Sequence, residues 1–380
     1  MRALLHDTRT GESLRELEFT EQTSWSAAVC RADDGSVVVP GYTAGSVGLS
    51  NLIIPRKTSV SLVRDDGVCV AAGLVGIPEA GENDDGDQTV TIPFRGPESL
   101  FDRRVVLPYP YKNLIDGAGF PVTTFDTRIT GVEYGTMMKR LYQQAMSHPG
   151  GSIPVVFEPD RVGTHEKGWA AVDGKGVQEA VEDISQLQGG VEWSWVPRVD
   201  ENDWLSWALV TGRDSAPEIV SPFWHSWTNS GSEPDIRKLA EKVSPEFLAS
   251  SVFFTGGKDQ DRVMLSHQYD STLIDAGFPL MEVWDSSHST VSEQPTLDGW
   301  AKSRLIDGQA PVKLWSFEVR AERAIGLRAG DWCTVEIQGK NGKPGHWWIP
   351  DGEYSRRIVG VSGTAVEDWY GVTVAGMTGW

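Results

Sequence analysis

Between residues 1 and 98, short runs of β-branched and aliphatic residues alternate with Gly- and Asp-rich turns. SVVVPGY, TSVSLVRDD and GVCVAAGLVGI read as strands. SLVRDDGVCVAAG reads as a hairpin, with Asp66-Gly67 supplying the positive φ of a tight turn. An acidic loop, GENDDGDQ, and a further strand, TVTIPF, follow. The period then changes. In GVEYGTMMKRLYQQAMSH apolar positions recur at Tyr134, Met138, Leu141 and Ala145, one face of a helix that His148-Pro149-Gly150-Gly151 ends. A second helix is expected with Asp173 as its cap, an apolar stripe of Val177, Ala180, Val181, Ile184 and Leu187, and a stop at Gly189-Gly190.

Residues 191–212, VEWSWVPRVDENDWLSWALVTG, predict a β-hairpin with indoles on both arms. Trp193 and Trp195 share one face because side chains alternate along a strand. Trp204 and Trp207 lie on the returning arm, beyond a polar loop. PFWHSWTNSG reads as a loop. Helices are expected near 234–248 (Ile236, Leu239, Ala240, Val243) and 295–306 (Leu297, Trp300, Ala301, Leu305). From Val312 onward KLWSFEVRAE, LRAGDWCTVEIQG, HWWIPDGEYSRRIVGVSG and WYGVTVAG return to strand patterning.

The pattern as a whole predicts an α+β chain, mostly β. Residues 1–98 and 312–380 are expected to build β-barrel-like modules. Between them, 99–216 is expected to be an α/β domain carrying the Trp hairpin, and 217–311 a mixed α/β segment. One internal echo stands out: LIDGAGFPV at 114–122 and LIDAGFPL at 273–280. Each is followed by an aromatic-Asp pair, Phe125-Asp126 or Trp284-Asp285, then by a predicted helix, a Pro and a strand. Gly-Phe-Pro is a common turn cluster, but the matching order of elements favours an old duplication.

Length and composition narrow the picture. The 380 residues exceed one ordinary core, and 41 Gly with 21 Pro suit many short strands. The net charge is −19 with Lys and Arg scattered, which argues against a surface that grips nucleic acid. Such a surface can still let DNA pass, because like charges repel. Cys30, Cys69 and Cys333 are odd in number and widely spaced, so neither a disulfide framework nor a zinc site is expected. A reducing compartment during folding is the simple reading. The N-terminus lacks the apolar stretch of a signal peptide, and no segment approaches the length of a membrane span; a soluble, non-inserted protein is expected.

Motifs for chemistry are missing. The seven histidines stand alone, with no HExxH, and neither GxSxG nor GxxxxGK[ST] occurs. The acidic stretch with Glu79, Glu82, Asp84, Asp85 and Asp87, and the DEND loop at 200–203, hold several oxygens each, but neither fits an EF-hand. Both read as solvated turn tips. No catalytic, metal-binding or cofactor-binding residue is predicted. Sixteen tryptophans remain, spread over the whole chain. A sugar platform would concentrate them, whereas packing between sheets or subunits distributes them.

The order of these elements resembles the tail-hub proteins of long-tailed bacteriophages, also called minor tail or baseplate hub proteins, especially those of actinobacterial phages. SLVRDDGVCVAAGLVGI is similar to the family's early hairpin. VDGKGVQEAVEDISQLQGGVEWSWVPRVDENDWLSWALVTG is similar to its central helix-then-hairpin unit. QPTLDGWAKSRL resembles its late helix, and LRAGDWCTVEI with SRRIVGVSG its closing strands. The resemblance implies a non-enzymatic virion protein at the tail tip, assembled in the host cytoplasm. It implies a homotrimeric ring that contacts a tube or distal-tail protein on one side and tip or fibre proteins on the other. Double-stranded DNA would pass through the ring without specific binding. Two similar modules in each of three chains would present six near-equivalent surfaces, and the Glu79–Asp87 stretch is the candidate acidic lumen loop. The rival readings are a Trp-rich carbohydrate-binding module and a β-rich glycoside hydrolase acting on the bacterial cell wall.

Overall fold

The fold was analysed in a computed structural model that describes residues 1–380 except 42–45, 83–85, 112–113, 188, 220, 222, 260–261, 287–290, 292, 340–342, 366–367 and 376–380. The chain is mostly β, as its patterning predicts. Its first part comprises β1 (Arg2–Asp7), β2 (Ser13–Leu17), β3 (Ser24–Ala28), β4 (Arg31–Pro40), β5 (Thr58–Val63), β6 (Cys69–Val75), β7 (Glu79–Glu82) and β8 (Gln88–Arg95). The β5–β6 hairpin turns where expected, with Gly67 at φ +82°. β5 and β6 are buried along their whole length. Their sheet is covered on both faces: Ala3, Leu5, Val60 and Leu62 enter one apolar cluster, while Leu4 and Val63 enter another. Burial on both faces explains why these strands read as continuous apolar and small runs.

The middle of the chain holds α1 (Glu98–Phe101), β9 (Thr127–Val132), α2 (Tyr134–Met146), β10 (Val155–Phe157), β11 (His165–Trp169), α3 (Val177–Ser185), β12 (Trp193–Val199) and β13 (Leu205–Thr211). β12 and β13 pair antiparallel, and β10 adds parallel to β13. There follow β14 (Trp224–Thr228), β15 (Ile236–Ser244), β16 (Ser251–Asp259), β17 (Arg262–Tyr269), α4 (Thr272–Asp275), β18 (Glu282–Asp285) and α5 (Gln294–Asp307). The α5 face carrying Leu297, Trp300, Ala301 and Leu305 packs with Val252 and Phe254 of β16 in a third apolar cluster.

The chain closes with β19 (Val312–Arg320), β20 (Trp332–Ile337), β21 (Gly352–Thr364) and β22 (Trp369–Val374). Here the structure departs from the two expected barrels. β21 pairs with β3, so the terminal strands fuse into one 14-stranded sheet, eleven of whose strands run in the order β15-β19-β22-β21-β3-β4-β8-β6-β5-β1-β2, while β7 adds to β8, β20 to β21 and β14 to β20. That order is an open path; among the described residues no pairing joins its ends. One apolar cluster runs through both parts, from Leu5 and Val37 to Phe317 and Val372. Sharing a core through β3 and β21 covers the edges that separate barrels would have closed individually.

Three local expectations also fail, each for a visible reason. Residues 236–244 form a strand on β19, not a helix. Lys238 takes φ +53° and the register shifts between Arg237 and Ala240. This bulge places Ile236 and Leu239 in the same cluster three residues apart, which mimics a helical repeat. The expected loop around PFWHSWTNSG contains β14, parallel to β20. Asp173 does not cap α3: it ends a 3₁₀ turn, and the α3 N-cap is Gly176, with no side-chain capping bond. Residues 175 and 176 are instead held extended, since the Val106 N–H donates to the Lys175 carbonyl and Val105 bridges Gly176.

The two echo segments share a path of turn, strand, helix and strand, namely β9–α2–β10 and β18–α5–β19. Their ends diverge: β10 joins β13, whereas β19 enters the large sheet. Leu114 and Phe120 are exposed in the first copy, while Leu273 is buried in the second.

Candidate interaction sites

The Trp hairpin packs in the second apolar cluster, against β4, β5 and β6 of the large sheet. Trp193 faces Thr211 across the ladder, Trp195 faces Leu209, and Pro197 faces Trp207. Trp193, Trp195 and Trp207 are 1%, 3% and 0% exposed. Trp195 stacks on Phe101 at 5.8 Å and meets Tyr142 edge-on at 5.0 Å, while the Tyr142 hydroxyl donates to Gln178. Their cluster includes Val177, Ala180, Val181 and Ile184 of α3. These three indoles are core. Trp204 differs: it follows the turn, is 47% exposed, and its N–H donates to the Asp200 carboxylate.

Polar ties hold the hairpin to both ends of the chain. The Leu205 N–H donates to the Gly11 carbonyl, and Arg2 donates to both oxygens of Asp203. Arg357 of β21, 5% exposed, forms a bidentate pair with Glu192, which also accepts from the Ile219 N–H. Such paired geometry is the strong form of a charge-assisted bond.

The predicted acidic stretch is only partly described. Glu79 and Glu82 bracket β7, an exposed strand on β8, and Gln88 donates to Glu82. Asp87 is exposed. Asp84 and Asp85 lie outside the described residues.

Two carboxylates that carry no sequence motif are buried. Glu98 is 2% exposed, and neither of its side-chain oxygens has a hydrogen-bond partner. Burial pushes its pKa up to about 8. Asp33, 6% exposed, is likewise pushed well up by burial and by the charge of Glu98. His225 pairs with Asp331 at 3.0 Å and His165 with Asp214 at 2.9 Å. In the first pair the Ser221 hydroxyl binds the aspartate and not the histidine, so no nucleophile–base contact forms there. Among the described residues no group of three or more His, Cys, Asp and Glu side chains could hold a metal ion. No helix among them is long and apolar enough to cross a membrane.

Comparison of the whole fold is decisive where motifs are silent. The tail protein from Neisseria meningitidis MC58 superposes with a TM-score of 0.57 at 14% identity, over 99% of this chain and 97% of that one. This chain has a phage tail-protein fold. The 43 kDa tail protein of prophage MuSo2 from Shewanella oneidensis gives a TM-score of 0.55 at 12% identity, over 100% and 98% of the two chains. A chain of the Francisella PdpA–VgrG complex gives 0.50 at 7% identity, covering 100% of this chain and 58% of that one. No protein-family model and no curated protein matches the sequence. The likeness is carried by backbone arrangement, and nothing in it points to the actinobacterial branch named by the sequence resemblance.

Proposed function

We propose that this protein is a structural hub of a phage tail tip. It forms a threefold ring that adapts a sixfold tube to threefold tip or fibre proteins, and DNA leaves through its centre. The observation that carries the reading is the full-length overlap with two tail proteins, each matched over almost its whole chain. The paired segments LIDGAGFPV and LIDAGFPL support the same reading, since two similar units in each of three chains of a closed cyclic assembly would give six related surfaces. A net charge of −19 suits a passage for DNA that must not grip its cargo. The buried Trp193, Trp195 and Trp207 weaken the carbohydrate-platform reading of the hairpin. Immunogold labelling of intact particles tests the placement: the label should mark one end of the tail. Label on the head, or particles without label, would refute it.

A further inference from the structure

The chain leaves the large sheet after β15 and returns to it at β19, and both crossings lie at one point. β15 ends at Ser244 and β19 begins at Val312, and these two residues face each other across the ladder. Pro245 follows the first and Pro311 precedes the second. A proline has no N–H to give a ladder, so pairing stops on both strands together. Beyond that point the two linkers run side by side. The Ala249 N–H donates to the Gly308 carbonyl, and the Gln309 side chain donates to the Ala249 carbonyl. A Cβ at Gly308 would lie 2.6 Å from the Phe247 carbonyl oxygen, so the contact is close. Arg304 of α5 donates to that same oxygen. The linkers are thus tied to the module they carry, and the place left to bend is the end of the ladder, as in a hinge of a few element-terminal residues.

The module is self-contained. β16, β17 and β18 form their own three-stranded sheet, and α5 covers it with an apolar cluster separate from the other two. Its seat on the rest of the chain is narrow. Leu187, just past α3 and only partly buried, packs against the α5 cluster. Lys167 of β11 lies between two indoles, its Nζ 5.2 Å from the ring centre of Trp300 on α5 and 5.9 Å from that of Trp169 on its own strand. Beside these contacts a cleft of about 700 Å³ separates α5 from β9 and β11.

Lys167 makes this seat weak. Its ammonium is closed off from water and has no hydrogen-bond acceptor among the described residues. Burial lowers its pKa, although the charge of Asp183 acts the other way. Ring faces attract a cation, but they replace little of the hydration that a buried ammonium loses. Docking takes this charge out of water, and undocking returns it.

We propose that the module from β16 to α5 is a hinged flap that swings at Ser244 and Val312, and that the buried Lys167 ammonium keeps its seat weak, so that the flap is poised to open. Opening uncovers Trp169 and Trp300, and any neighbour that prefers the uncovered rings shifts the balance toward the open form. The flap follows from the hinge and the seat and does not rest on the hub reading.

Pulsed electron spin resonance on the full-length protein tests it. Labels go on Thr130→Cys of β9 and Lys302→Cys of α5, two exposed positions, in a Cys30→Ser background. The distances should fall into two populations, closed and open. Lys167→Met keeps the stem and removes the charge, and should shift the ratio toward the closed form about tenfold or more, the scale on which apolar replacement of buried charges acts. Leu187→Ser, at a partly buried position, should shift it toward the open form while circular dichroism shows the fold kept. A single narrow distance that Leu187→Ser leaves unchanged overturns the proposal. So does a Lys167→Met variant that opens further or keeps the wild-type ratio.

Discussion

Trp193 and Trp207 show how much a single burial decides. Each indole removes on the order of 150–250 Å² from water, and both are essentially inaccessible. Trp207→Ala should therefore cost about 3–5 kcal/mol in denaturant unfolding. Trp204→Ala, at a half-exposed site, should stay within about 0.5 kcal/mol. Equal effects of the two changes would contradict the packing described. Glu98 makes a pH prediction. Its folded pKa, raised by burial to about 8, lies above the ordinary carboxyl value of 4.5. Between those values the folded state binds the proton and the unfolded state does not, so stability falls as pH rises. Its contribution is complete below about pH 4.5 and is lost by the time pH has passed through about 8. Glu98→Gln should flatten that slope and stabilise the protein at pH 8 and above, as read by melts across pH. A slope unchanged in the variant would remove Glu98 as its source. Neither buried carboxylate was legible in the sequence, because Asp33 sits in an Asp-Asp-Gly run that reads as a turn and Glu98 follows the strand TVTIPF in a stretch with no motif.

At the scale of elements, the Trp hairpin is pinned by Arg357, which reaches from β21 to Glu192. Arg357→Ala leaves Glu192 poorly compensated and should destabilise by about 3 kcal/mol, toward the lower end for broken buried pairs because Glu192 keeps some solvent. Thermal unfolding checks this, and a wild-type melting temperature would show that the Arg357–Glu192 pair does not hold the hairpin in place. The hairpin, α2 and α5 were legible because their apolar period matches their local geometry. β14 and β15 were not. Their partners, β20 and β19, lie far along the chain, and the bulge at Lys238 disguises a strand as a helix. The joining of β3 to β21 was hidden for the same reason: strand pairing over nearly the whole chain length leaves no local trace.

At the scale of the molecule, both ends of the chain build one sheet. A 1–311 fragment would lose β19 to β22, expose the β3 edge and strand β14 and β15 without partners. It should be insoluble, since open strand edges template aggregation. A soluble, monodisperse fragment would show that the N-terminal strands fold without their C-terminal neighbours. The central claim concerns assembly, and the most direct measurement is a reconstruction of the tail tip with this protein in place. The account predicts three copies in a ring with pseudo-sixfold symmetry, an open axial channel that admits duplex DNA, and a net acidic lining to which the Glu79–Asp87 segment contributes. Six copies, a closed axis, or a channel lined by Lys and Arg would contradict it.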